Sequence, residues 1–206
     1  MSNQSRPRLP AQEASLGAEA TVASQRVYEG RLINLHVDTV RLENGRLTKR
    51  EIVEHPGAVA VVALDEDANV ILVRQFRKPT EKKLLEIPAG TLEAGEEPIA
   101  CARRELKEET GYRAERMEPI GGFFSSPGFC TEYIHVYLAT GLKKGHSALE
   151  DDEAIEIIKI PSSDIPSMVS QGKICDGKSI VGLLSVLLFR PDLSATEGQG
   201  AGTAVI

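Results

Sequence analysis

The sequence predicts a mixed α+β fold, in which one helix lies between two groups of strands and two further helices close the domain. Three observations predict it. Alternating or β-branched runs fill residues 25–77, an amphipathic helical stretch follows at residues 98–110, and further strand-like runs precede two helical segments. An all-β barrel would lack the inserted helix, and a βαβ repeat would alternate helices with strands, so the pattern favours neither.

The strands are indicated by alternation and by turn residues. QRVYEG and INLHVDTVRL carry alternating or β-branched residues, and Asn44-Gly45 is typical of a hairpin turn that leads into LTKREIVEH. AVAVVAL and VILVRQFR are expected to form a second, more apolar hairpin around DEDAN. Later strands are predicted at MEPIGGFF, EYIHVYLATGL and AIEIIKI, and the two closing helices near residues 162–171 and 177–190.

The inserted helix has matching signals at its two ends. Pro98 suits the first helical position, and Gly111 suits the stop after the last turn. On a helical wheel, Ile99, Ala102 and Leu106 share one face. We expect this face to pack into the core.

Segment composition divides the chain into four parts. Residues 1–23 and 192–206 are polar and aperiodic, which predicts a disordered lead-in and a flexible tail. Between them we expect an N-terminal antiparallel strand arm at residues 24–57 and the main domain at residues 58–191.

Charge and cysteine usage exclude several classes of protein. The 206 residues include 24 Lys and Arg against 30 Asp and Glu, and a net charge of −6 argues against nonspecific binding to nucleic acids or anionic membranes. The sequence contains no apolar run of about 18 residues, which is the length that would predict a membrane span. The three cysteines are far apart and lack a C-x-x-C pair, which fits neither a zinc site nor a disulfide framework. We expect a cytoplasmic protein.

Acidic residues are concentrated on one arc of the inserted helix. Glu105 and Glu109 are four residues apart, and Glu108 lies about 60° to one side. Such like charges destabilise a helix by a few tenths of a kcal/mol per pair. Arg104 can pair with Glu108, which leaves Glu105 and Glu109 without a helix cation on their arc. Either this is a solvated acidic face, or a hard cation such as Mg²⁺ or Mn²⁺ binds there.

Glycines around the helix favour the metal site over the solvated face. Gly90 and Gly95 bracket a compact loop before the helix, and Gly111 ends it. A helix with fixed loops at both ends presents its carboxylates rigidly, as metal sites require.

The same stretch carries a spaced pattern, G-x5-E-x7-R-E-L-x-E-E-x-G-Y. Its fixed positions are Gly90, Glu96, Arg104, Glu105, Leu106, Glu108, Glu109, Gly111 and Tyr112. This pattern resembles the Nudix box, every fixed position of which is filled. The resemblance implies the Nudix fold, a mixed β-sheet sandwiched between helices. It also implies Mg²⁺-dependent hydrolysis of a nucleoside diphosphate linked to another moiety.

The resemblance also implies a role for each charged position of the box. The metal ligands would be Glu105, Glu109, Glu108 (directly or through water) and the backbone carbonyl of Ala89. Arg104 would be an orienting partner, and Glu96 would brace the loop against the helix.

Pro127 bears on the substrate, because it lies 15 residues beyond Tyr112. It is either a plain loop proline or the proline found at this offset in the ADP-ribose pyrophosphatase branch, which the sequence resembles. SPG and the later Glu132 are similar to the substrate loop of that branch, which implies AMP and ribose 5-phosphate as products.

Two further stretches, VRQFRKP and LLEIPAGTLE, also look like that branch. They make Arg74, Arg77 and Glu86 candidate substrate-binding residues. Arg77 is the candidate for the phosphate or adenosine contact, unless it is an ordinary surface arginine at a strand end. Glu132 could accept hydrogen bonds from ribose hydroxyls, or it is an exposed acid before a strand.

Hydrolysis also needs a base that activates water. In the enzymes that the sequence resembles, the base comes from a loop that corresponds here to SALEDDEAIEI. Glu153 is the first candidate and Asp151 the second. The alternative is that this short acidic run is only a solvated loop.

The branch commonly forms dimers through N-terminal strands, so the resemblance implies a homodimer with a small nucleoside diphosphate substrate. Two other functions stay open. The chain could hydrolyse another compound, such as a nucleotide sugar, NADH or a dinucleoside polyphosphate, or it could be a non-catalytic sensor that binds ADP-ribose. The filled box positions favour an enzyme over the sensor.

Overall fold

The computed structural model describes residues 17–145 and 155–190. These residues form two compact units. The first contains residues 17–55 together with Ser126–Thr131, and the second contains Pro56–Ser125 and the described residues from Glu132 onward.

The first unit is a three-stranded antiparallel sheet in the order β1–β2–β3, with strands β1 (Ala20–Glu29), β2 (Asn34–Arg41) and β3 (Leu47–Glu54). The predicted hairpin turn joins β2 to β3, with Gly45 at a φ of 78°. In the same unit, the Val53 N–H donates to the Phe129 carbonyl oxygen at 2.7 Å. Strand β1 is exposed along its whole length.

The second unit is built on a mixed sheet with a central order β10–β5–β4–β9–β8, while β6 pairs with β5 and β7 with β4. Strands β4 and β9 run parallel, and the other paired strands run antiparallel. Its strands are β4 (Ala58–Leu64), β5 (Asn69–Arg77), β6 (Lys82–Glu86), β7 (Ala89–Thr91), β8 (Tyr112–Phe124), β9 (Tyr133–Lys144) and β10 (Glu156–Pro161). Its helices are α1 (Pro98–Thr110), α2 (Ile165–Ser170) and α3 (Gly177–Phe189), with 3₁₀ turns at Lys78–Thr80 and Ser162–Asp164.

Strand β4 shows why this sheet has helices on both faces. All its residues are buried, and successive side chains point to opposite faces. Ala60 and Val62 belong to a core cluster with Leu183 of α3, whereas Val59 and Val61 belong to a second cluster that contains Leu106, Ala102 and Cys101 of α1. The predicted α+β class, a mixed sheet between helices, is confirmed.

Most predicted elements are present, with two local differences. Ile99 is 41% exposed and is not part of the core. Helical side chains lean toward the N-terminus, so a residue of the first turn reaches past the start of the helix. Strand β1 begins at Ala20, inside the predicted lead-in, because residues from Ala20 pair with β2. The predicted tail at residues 192–206 lies outside the described residues.

None of the helices in the described ranges combines the length and the apolar character that crossing a membrane requires.

Candidate active site

Helix α1 is fixed at both ends and packed along one face. It begins at Pro98, and at its end the Gly111 N–H donates to the Lys107 carbonyl oxygen at 2.8 Å. Gly111 has a φ of 72°, a left-handed conformation that favours glycine. With Cys101 and Leu106 buried in the core, the helix presents its other side chains from a rigid support.

The Arg104 cluster consists of one guanidinium and three carboxylates, those of Glu96, Glu105 and Glu108. Arg104 Nε and Nη2 donate to the two carboxylate oxygens of Glu96, each at 2.9 Å. Arg104 Nη1 donates to Glu105 Oε1 at 2.7 Å and to Glu108 Oε2 at 3.0 Å. The predicted Arg104–Glu108 pair is therefore present. The expectation that Glu105 has no helix cation is wrong, because the guanidinium fork can serve several carboxylates at once.

Charge pairing and burial shift the pKa values in and beside this cluster. The hydrogen bonds from Arg104 lower the pKa of Glu96 to about 2, and the same bonds raise the pKa of Arg104. Burial raises the pKa of the Cys101 thiol to about 12. This thiol stays protonated and donates to the Thr91 carbonyl oxygen at 3.5 Å. It therefore behaves as a small core residue.

Strand β7 supplies two backbone features beside the helix. A Cβ atom on Gly90 would lie 1.9 Å from the Glu105 carboxyl carbon, so glycine leaves the space in which this side chain lies. One residue earlier, the Ala89 N–H donates to Glu109 Oε2 at 3.1 Å. Glu109 is only 5% exposed. The fold thus brings Ala89, Glu105 and Glu109 together across β7 and α1.

The donors in this region suit a hard divalent cation. Glu105, Glu108 and Glu109 carry carboxylate oxygens, and Ala89 has a backbone carbonyl oxygen, which are the ligand types that Mg²⁺ and Mn²⁺ prefer. As the side chains are placed, no three His, Cys, Asp or Glu residues within 17–145 and 155–190 form a ready metal cluster. Arg104 hydrogen-bonds two of the three carboxylates, and a cation would compete with it for their oxygens.

A second charged cluster, the Glu86 cluster, contains two carboxylates and two cations: Glu86, Asp176, Arg77 and Lys178. Arg77 Nε and Nη2 donate to Glu86 Oε1 and Oε2 at 2.9 and 2.8 Å. Lys178 Nζ donates to Glu86 Oε2 and lies 3.1 Å from Asp176 Oδ2. Asp176 also caps α3 by accepting from the Ser179 N–H at 3.0 Å.

Glu86 is 1% exposed, which does not fit the direct substrate contact expected from the sequence. Burial opposes its ionisation, but the hydrogen bonds and charges of Arg77 and Lys178 outweigh burial and lower its pKa. The Glu86 hydrogen bond raises the pKa of Arg77, and the nearby charge of Glu109 adds to the effect. The side chain of Arg77 remains 40% exposed.

Sequence reasoning missed Lys178 and Asp176. The only local signal is an acidic residue before Gly177, typical of a helix N-cap. Nothing in the sequence links Lys178 to Glu86, which is 92 residues away.

The other predicted site residues are placed as follows. Arg74 Nη1 donates to Glu156 Oε2 at 3.0 Å, and this pair is exposed. Glu132 is half-buried in the second unit, and its carbonyl oxygen accepts from the Ser125 N–H at 3.1 Å. Pro127 is exposed and belongs to the first unit. Glu153 and Asp151 lie outside the described residues.

Comparisons with known proteins extend over both units. A family model described as a NUDIX domain matches residues 54–173. A second family model, described as the N-terminal domain of nucleoside diphosphate sugar hydrolases, matches residues 19–53.

Individual relatives agree with these matches. The chain is 45% identical to a methanol dehydrogenase activator of Bacillus methanolicus over 79% of this chain and 89% of the relative. It is also 45% identical to an ADP-ribose pyrophosphatase of Bacillus subtilis, over 78% of this chain and 88% of the relative. A crystal structure of an ADP compounds hydrolase has a TM-score of 0.75 with 21% identity, covering 84% of this chain and 95% of that chain. This last likeness shows a shared fold.

Proposed function

Because the chain belongs to the NUDIX family of hydrolases, which generally use divalent metals, we propose that it hydrolyses the pyrophosphate bond of ADP-ribose. The products are AMP and ribose 5-phosphate. The observation that carries the proposal is the set of carboxylates Glu105, Glu108 and Glu109 on two turns of a fixed helix. The similarity to an ADP-ribose pyrophosphatase supports the choice of substrate.

The cation in this proposal is Mg²⁺ or Mn²⁺, held by Glu105, Glu109, Glu108 and the carbonyl of Ala89. When bound, it would stabilise the negative charge that develops on the phosphate oxygens. Arg104 holds the side chains of Glu105 and Glu108 in place, and the cation would replace it on the oxygens that it now binds. The Ala89 N–H likewise holds the side chain of Glu109 in place.

Glu96 acts on this site through Arg104. Its two carboxylate oxygens bind the guanidinium bidentately, and its Oε2 accepts from the Glu93 N–H at 3.2 Å in the loop before the helix. The loop and the helix are therefore joined through one side chain. This contact supports the bracing role that the box pattern implies.

The substrate is bound by side chains outside the box. Arg77 neutralises the negative charge of the pyrophosphate. Its guanidinium is suited to this because it is half exposed, so that a ligand can reach it, and because Glu86 holds it in one orientation. In this proposal Glu86 positions Arg77 and does not touch the substrate. Arg74, Glu132 and Pro127 remain proposed contacts to the rest of the ligand.

The base that takes the proton from the attacking water is proposed to be Glu153, with Asp151 as the second candidate. Both follow β9 and precede β10 in the sequence. A carboxylate is suitable because its conjugate acid can release the proton again once the phosphate group has left.

We also propose that the protein is a cytoplasmic homodimer. Strand β1 supports this, since it is an edge strand of its sheet and carries exposed Val22, Val27 and Tyr28. An edge strand with apolar side chains is suited to pairing with a second copy. The net charge of −6 supports the absence of nucleic-acid and membrane partners.

A second candidate activity is hydrolysis of another nucleotide sugar. It is favoured by the description of the family model that matches residues 19–53. NADH and dinucleoside polyphosphates have no such support, but they belong in the same test.

The test is a hydrolysis panel with purified protein, Mg²⁺ or Mn²⁺, and chromatographic separation of products. The substrates are ADP-ribose, ADP-glucose, GDP-mannose, NADH and a diadenosine polyphosphate. We expect AMP to form fastest from ADP-ribose and to stop forming when EDTA is added. Faster turnover of another compound would replace the proposed substrate. Metal-dependent binding of ADP-ribose without any turnover would instead identify a sensor.

A further inference from the structure

A cleft on the outer side of α1 is lined, among the residues that the structure describes, by four cations and one alanine. It has a volume of about 340 Å³ and is formed by Arg103, Arg104 and Lys107 of the helix together with Arg113 and Ala114 at the start of β8. Sites for small ligands commonly measure about 300–1,000 Å³. The cleft is therefore large enough for a small ligand and too small for a macromolecule to enter.

Three of these cations have no carboxylate partner among the described residues. Arg103 donates to the Ala114 carbonyl oxygen at 3.1 Å, and no ion pair in residues 17–145 or 155–190 includes Arg103, Lys107 or Arg113. Arg103 and Lys107 are four residues apart on the helix, a spacing at which like charges repel. None of the lining residues that the structure describes is acidic, so none of these offsets that repulsion.

Arg104 lines this cleft and is also the cation of the Arg104 cluster. Its five N–H groups are directed to Glu96, Glu105, Glu108 and, through Nη2, to the Thr91 carbonyl oxygen and the Cys101 Sγ. It therefore has no donor left for a ligand in the cleft. The donors available there belong to Arg103, Lys107 and Arg113.

We infer that this cleft is a second anion site, which binds a small phosphate-bearing ligand. Two guanidinium groups and one ammonium group converge there, and guanidinium groups bind phosphate oxygens bidentately. The contact with the Ala114 carbonyl already holds Arg103 at the cleft, which reduces the ordering cost of binding. The ligand is either free inorganic phosphate or the phosphate group of a nucleotide. Its described lining includes none of Glu105, Glu108 and Glu109, so it is distinct from the proposed cation site.

The test is an NMR titration of the ¹⁵N-labelled full-length protein with inorganic phosphate, after metal removal and at constant ionic strength. We expect saturable shifts of the backbone amides of Arg103, Lys107 and Arg113. The triple variant Arg103→Gln, Lys107→Gln, Arg113→Gln should weaken this binding at least about tenfold. Arg116→Gln is the matched control, since Arg116 is an exposed cation on the same strand and does not line the cleft.

If the triple variant misfolds, the single variant Arg113→Gln still tests the site. We expect this single substitution to weaken phosphate binding about threefold or more. A parallel titration with AMP distinguishes the two ligand sources. Tighter binding of AMP at the same amides identifies a nucleotide site, and equal or weaker binding identifies a phosphate site. Wild-type amides that shift no more with phosphate than with chloride would overturn the inference. Unchanged phosphate binding in a folded triple variant would do the same.

Discussion

The second unit contains two charged clusters of similar size and different charge balance. The Arg104 cluster sets one guanidinium against three carboxylates, and its members are partly exposed. The Glu86 cluster sets two cations against two carboxylates around a side chain that is 1% exposed. Both use an arginine bidentate to a glutamate, so geometry alone does not distinguish them. The charge balance does.

The difference indicates how each cluster can be used. An excess of carboxylates is costly unless a further cation binds, and this makes the Arg104 cluster suited to a metal. A balanced cluster needs no further ion, so its buried Glu86 can hold Arg77 in one orientation toward an anionic substrate. Glu109, a proposed metal ligand, also acts on the second cluster, since its Oε2 accepts from the Ala89 N–H while its charge raises the pKa of Arg77.

The largest effect is expected from Glu109→Gln. The amide oxygen can still accept the Ala89 N–H, so the fold should persist, but the excess negative charge is reduced. Loss of a residue that only supports a metal ligand typically lowers metal affinity or activity about 10–100-fold. Because Glu109 is proposed to be a direct ligand, its loss should lower kcat at least about 100-fold. The rate of AMP release from ADP-ribose at saturating Mg²⁺ measures it.

Glu97→Gln is the matched control, because Glu97 precedes the same helix, is exposed and forms no capping hydrogen bond through its side chain. It should retain wild-type activity. Normal turnover by a folded Glu109→Gln variant would remove Glu109 from the proposed metal ligands.

Gly90→Ala should lower activity without lowering stability, because it disturbs only one carboxylate of the Arg104 cluster. The new Cβ would displace the Glu105 carboxylate, which is the flexible end of its side chain and can move at little cost. We expect kcat to fall about tenfold while the free energy of unfolding changes by less than about 1 kcal/mol. Gly177→Ala, which would meet no atom within 4 Å, should change neither quantity. A large loss of stability in Gly90→Ala would show that Gly90 serves packing instead.

In the Glu86 cluster, a substitution should lower stability more clearly than it lowers kcat. Glu86→Gln leaves Arg77 and Lys178 without their shared buried carboxylate, which we expect to cost about 2 kcal/mol in urea unfolding. Because Arg77 loses its orientation, KM for ADP-ribose should rise more than kcat falls. Glu156→Gln removes the partner of exposed Arg74 and should cost under about 1 kcal/mol. Equal costs for the two variants would mean that the burial of Glu86 has no energetic consequence.

The sequence predicts the elements of this fold well because their signals are local. Strand alternation, Asn44-Gly45, Pro98 and Gly111 each act over a few residues, and the structure places these elements where the pattern does. The exposure of Ile99 was missed because a helical wheel carries no information on where the sheet beneath the helix ends.

The site was predictable only where its residues are close in sequence. Helical spacing placed Glu105, Glu108 and Glu109 near one another. The second contact of Arg104, to Glu105, depends on a rotamer that spacing does not define. Lys178 reaches Glu86 through tertiary folding alone, so no pattern in the sequence could have paired them.

The smallest effect, and a further test of the charge balance, is the pH dependence of stability in Glu96→Gln. The folded-state pKa of Glu96, about 2, lies below its ordinary value of 4.5 because Arg104 donates to it. Its ionised form therefore stabilises the folded state fully above about pH 5, and this contribution is lost as the pH falls toward 2. Urea unfolding of the wild type and the variant should differ by about 1 kcal/mol at neutral pH, and the difference should shrink steadily between about pH 5 and pH 3. A difference that stays constant with pH would mean that the Glu96 contact contributes through its shape and not through its charge.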